Sequence, residues 1–123
     1  MPSAREDYLL RLIQQLAGAL GRLRERLGGP TAVVEADDVA REAGAEISRL
    51  LGPQAPLLQQ LDAASAVRIV ADPQRVALWV AFLRVQAEAH RLRGGVDAAQ
   101  RVEARAVALE HAAKAAWSEV PNA

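Results

Sequence analysis

The sequence predicts an all-α fold, a small helical bundle of four main helices plus a short linker helix. Three observations carry this expectation. Hydrophobic residues make up 51% of the chain but aromatics only 3%, so alanine and leucine supply the apolar mass, as in closely packed helices. Apolar residues recur at alternating spacings of three and four in four stretches. Glycine and proline pairs stand between those stretches, where helices stop. At 123 residues the chain is one domain's worth, and a single helical domain over 1–123 is expected.

The first helix is predicted over about 4–27. Ser3 and Glu6 have the spacing of a capping box, and Gly28, Gly29 and Pro30 form the stop. Leu9, Ile13, Leu16, Leu20, Leu23 and Leu27 form one seam, widened by Leu10, Leu12, Ala17 and Ala19. That width suits a bundle better than a bare two-stranded coil. Gly18 and Gly21 lie off the seam and each cost roughly 1 kcal/mol of helix propensity relative to alanine. A second helix is predicted over about 33–51, with Ala36, Val39, Ala40, Ala43, Ile47, Leu50 and Leu51 as its buried stripe. Glu35, Asp37 and Asp38 lie at its positive end and Arg49 at its negative end, as the helix dipole favours.

Residues 56–70 read as broken helical pieces, one over Pro56–Leu61 and another over Ser65–Val70. A strand at Val67–Val70 is the alternative, but a lone strand has no partner in this sequence. Asp72-Pro73 joins an N-cap aspartate to a proline at the first helical position, opening a helix predicted over 73–93. This helix carries two stripes: Val76, Val80, Leu83, Ala87 and His90, and then Leu78, Phe82, Val85, Ala89 and Leu92. At about 100° per residue the stripes point in nearly opposite directions. Such a helix is either central to its own fold or meets another subunit on one side. The last helix, about 97–118, has a seam of Ala99, Val102, Ala106, Leu109, Ala113 and Ala116, small enough for close approach. Gly94-Gly95 makes the last pair antiparallel.

The chemistry-bearing residues argue mainly by exclusion. Fifteen basic and fifteen acidic residues give zero formal charge, which disfavours a general polyanion binder. Without cysteine there is no disulfide, thiolate nucleophile or thiolate metal site. His90 and His111 are the only imidazoles and belong to no metal-binding spacing; His90 reads as a partly buried residue near a negative helix end. The four serines lie in no nucleophile elbow, and the glycine pairs lack a P-loop lysine. No catalytic residue, cofactor, metal or small-molecule substrate is expected, and the protein is read as a non-enzyme. Neither a signal peptide nor a membrane span is legible, which gives a cytoplasmic expectation. Fourteen of the fifteen basic residues are arginine, and Arg22, Arg24 and Arg26 cluster at the end of the first helix. A nucleic-acid-linked regulator using those ends is therefore the alternative function, although no helix-turn-helix accompanies them. A small enzyme is the second, disfavoured alternative.

Two resemblances follow from these residues. Asp7-Tyr-Leu-Leu-Arg-Leu-Ile-Gln-Gln-Leu16 is similar to the opening of an uncharacterised bacterial all-helical domain-of-unknown-function family, which implies a bacterial source and no known activity. Leu83, Ala87, Gly94, Ala99 and Ala106 resemble the packing positions of a tetratricopeptide-type hairpin. Gln86 and Glu103 depart from that pattern, and only one unit is present, whereas stacking takes about three.

The functional expectation is a protein–protein interaction module, acting on a protein partner or on itself as a homo-oligomer. Leu9, Ile13, Leu16, Leu20 and Leu23 are the expected self-association seam, with Trp79 and Phe82 as candidate anchors on the helix over 73–93.

Overall fold

The computed structural model describes residues 3–118, and among them every regular element is helical. The order is α1 (Ala4–Gly28), α2 (Ala32–Leu51), a 3-10 turn (Gly52–Gln54), α3 (Ala55–Gln60), α4 (Ala63–Val70), α5 (Pro73–Leu92) and α6 (Val96–Trp117). Local chemistry explains most of the boundaries. The backbone N–H of Glu6 donates to Ser3 Oγ at 3.1 Å, occupying one of the free donors that open α1. Asp72 accepts from the N–H groups of Gln74 and Arg75 at 2.9 and 3.3 Å, with Pro73 as the first residue of α5. Gly94 takes a φ of +80° in the turn between α5 and α6, a region a side chain would disfavour.

The stretch between α2 and α5 is more structured than its sequence suggests. Two short helices meet at Leu61-Asp62, and Asp62 caps the second by accepting from the Ser65 N–H at 3.0 Å. Val67 and Val70 are in α4, not in a strand; with Ala66 they are buried. Ala71 ends that helix in the left-handed region at φ 56°, an uncommon conformation for a residue with a side chain.

Helix α5 lies at the centre. It packs most extensively against α6 and α2, and also against α1 and α4. Val76, Val80, Leu83 and Ala87 are buried on one flank, and Leu78, Phe82, Val85 and Ala89 on the other. The two apolar stripes thus both find cover within one chain, so the second flank of α5 is not an intersubunit surface. The polar contacts give the helix directions. Asp37 pairs with Arg93, Gln86 Nε2 donates to the Ala40 carbonyl at 3.2 Å, and Arg75 Nη2 donates to the Leu50 carbonyl at 2.6 Å, so α2 runs antiparallel to α5. Arg26 pairs with Glu35 and Glu42 at one end of the α1–α2 hairpin while Arg49 donates to Gln15 near the other. Helix α1 is therefore also antiparallel to α2, and parallel to α5.

Candidate interaction surfaces

The leucine seam of α1 faces inward. Leu16, Leu20 and Leu23 are buried against the chain's own core, while Leu9 and Ile13 are half-buried. Burial of the same leucines in a partner would require opening α1 away from α2 and α5, so the seam is corrected from an intersubunit surface to an intramolecular one. The same correction applies to both proposed anchors. Trp79 is 1% exposed and Phe82 0%, and both belong to the core around α5. A heptad of leucines shows that a helix face is covered; it does not say which molecule covers it.

What α1 leaves open is a different stripe. Asp7, Leu10, Gln14, Ala17, Gly21 and Arg24 are all exposed, and their spacing of 3-4-3-4-3 puts them on one face. Tyr8 and Leu10 are 62% and 53% exposed, large apolar surfaces for a helix of a small bundle. They lie on the first turns of α1, where Leu9 alone between Ala4 and Arg11 is even half-buried. A Cβ built on Gly21 would meet nothing within 4 Å, so that position is open to a neighbouring backbone or a large side chain. The ends of the stripe carry opposite charges, Asp7 at one and Arg24 at the other.

Beside this stripe runs an open apolar groove of about 440 Å³ between α1, α5 and α6. Ala77, Val80 and Ala81 of α5 form its base, Ala113 and Trp117 of α6 one wall, and Arg24 its α1 edge. The rim is organised by Arg84. Its two terminal nitrogens hold the Glu110 carboxylate at 3.0 and 3.1 Å, and its Nε holds Glu103 at 3.2 Å. Glu110 and Glu103 raise the Arg84 pKa further, and the guanidinium in turn holds Glu110 below the usual carboxylate range. Arg24 and Lys114 on the same rim form no salt bridge among the described residues.

Of the arginine cluster at the end of α1, Arg26 is committed to Glu35 and Glu42, while Arg22 and Arg24 are exposed. His90 is half-buried with its carbonyl accepting from Gly95 at 2.8 Å, and His111 is exposed. Among the described residues no helix is long and apolar enough to cross a membrane.

Comparison with known proteins adds no identity: no family model, curated protein or solved structure matches this chain.

Proposed function

We propose that the protein is a non-enzymatic helical module that associates with a second copy of itself through the outward stripe of α1. The observation that carries this reading is the self-complementary order of that stripe. Laid antiparallel against its own copy, the stripe pairs Asp7 with Arg24, Leu10 with Gly21, and Gln14 with Ala17, and then the same pairs in reverse. Opposite charges meet at both ends, the helix dipoles are antiparallel, and the exposed Leu10 side chain enters the space left by Gly21. The apolar groove beside Arg24 widens the surface a second copy covers. The tetratricopeptide resemblance has no part in this reading: Leu83, Ala87, Ala99 and Ala106 are buried in the chain's own core, and Gly94 forms the exposed turn between α5 and α6.

Light scattering across a dilution series tests it. The wild type is expected to pass from dimer to monomer on dilution, and Leu10→Glu to remain monomeric with unchanged helicity. Asp7→Arg and Arg24→Asp are each expected to weaken the dimer, and their combination to restore it, since the pair then meets with signs exchanged. A wild type that stays monomeric throughout, or a combination weaker than either single change, overturns the reading. Salt-dependent binding of DNA or RNA lost on Arg22→Ala would instead favour nucleic-acid recognition.

A further inference from the structure

A second cavity of about 440 Å³ lies on the far side of α5 from the groove, between α2, α3, α5 and α6. Its construction differs. Trp79, Leu83 and Ile47 give it a buried apolar floor. Gln59, Arg101 and Arg105 converge on it from two helices that are distant in sequence. Arg101 and Arg105 are one turn apart on α6, so both guanidiniums reach the same opening.

Among the described residues, neither of these two arginines is neutralised by a carboxylate at the cavity. Arg26, Arg41, Arg49, Arg84, Arg91 and Arg93 each pair with a carboxylate. Arg101 and Arg105 form no salt bridge among the described residues. Arg105 is nevertheless held in place: its Nη2 donates to the Leu58 carbonyl at 3.0 Å and its guanidinium sits 5.5 Å from the centre of the Trp79 ring. Burial works against its charge and lowers its pKa, with Asp62 offering only partial compensation. A fixed, half-buried cation without a carboxylate partner, beside a second cation and an aromatic floor, is complementary to an anion that brings apolar surface with it.

We propose that this cavity binds small organic anions, holding an oxyanion head between Arg101 and Arg105 and an apolar or aromatic body against Trp79 and Leu83. The volume falls within the range of roughly 300–1,000 Å³ typical of small-molecule sites. The shared chemistry is an oxyanion of carboxylate or phosphate type, since guanidinium grips either in the same bidentate geometry.

Titration with 8-anilinonaphthalene-1-sulfonate, an aromatic anion, tests the site in a Trp117→Phe background where Trp79 is the one reporting tryptophan. Saturable binding with a change in Trp79 emission is expected. Arg101→Ala, an exposed position with no structural partner, is expected to weaken it at least about tenfold, the scale of one charge-assisted hydrogen bond. Arg105→Met should do the same while keeping the apolar stem on Trp79, with circular dichroism verifying the fold. Displacement by benzoate assigns the site to aromatic carboxylates, and displacement by inorganic phosphate to phosphate esters; either supports it. Absence of saturable binding, displacement by neither anion, or binding untouched by Arg101→Ala but lost on Ala113→Glu in the other groove overturns it.

Discussion

A helix covered on two sides should be costly to truncate on either. Leu78 and Leu83 allow the same chemical change, Leu→Ala, on opposite stripes of α5, and they are 9% and 8% exposed. Each substitution removes buried methyl groups and leaves a cavity that helices fixed on several sides cannot close, for a cost of about 2–5 kcal/mol. A domain of this size has a total stability on the order of 5–15 kcal/mol, so either change removes a large fraction of it. Urea unfolding followed by circular dichroism at 222 nm measures both. The expected result is a fall in the midpoint of similar size for Leu78→Ala and Leu83→Ala, with the slope unchanged. A cost below about 0.5 kcal/mol on one flank, the usual scale of a surface substitution, would mean that flank faces water and would refute the two-sided arrangement.

Other elements make separate demands. Asp72→Ala removes a cap that accepts two backbone donors and is expected to cost about 0.5–2 kcal/mol in the same unfolding assay. Ala71→Gly relieves a left-handed backbone, so it is expected to be neutral or to raise the thermal midpoint, opposite in sign to an ordinary alanine-to-glycine change. The depressed Glu110 carboxyl makes the Arg84 pair pH-dependent. Its contribution is full above the ordinary carboxylate value of 4.5 and is lost as pH falls through the lower folded value. The stability difference between wild type and Glu110→Gln should therefore shrink as pH is lowered through that window, and a difference independent of pH would remove the pair from the account.

The long helices were legible because each carries its own punctuation. Ser3, Asp72-Pro73 and the glycine stops mark ends without reference to tertiary structure, and two opposed stripes on residues 73–93 demand cover on two sides. Less legible was the segment before Asp72, where Asp62 caps a helix of eight residues whose valines also suit a strand. The α1 seam does not name its partner, because periodicity identifies a buried face and is silent on whether the cover comes from the same chain. With Leu16, Leu20 and Leu23 spent on the core, the exposed stripe one face over becomes visible only by subtraction. The cavity proposed to take anions has no local signature, since Gln59, Trp79, Arg101 and Arg105 come together only on folding. One signal was present all the same. Gln86 stands where a tetratricopeptide-type hairpin has an apolar residue, and it lines that cavity from a half-buried position. Gly44 gives it room: a Cβ there would come within 3.1 Å of the Gln86 amide nitrogen.

The chain contains no cysteine, so a single introduced cysteine carries a spin label to one chosen place. In the antiparallel α1 pair, labels beside the stripe at Arg11→Cys are offset by about 14 Å along the helix axes and those at Glu25→Cys by about 29 Å, from 1.5 Å of rise per residue. Double electron–electron resonance between copies is expected to give a short distance for the first and a long one for the second. Equal short distances at both positions, or no dipolar coupling between copies at either, would contradict association through this face.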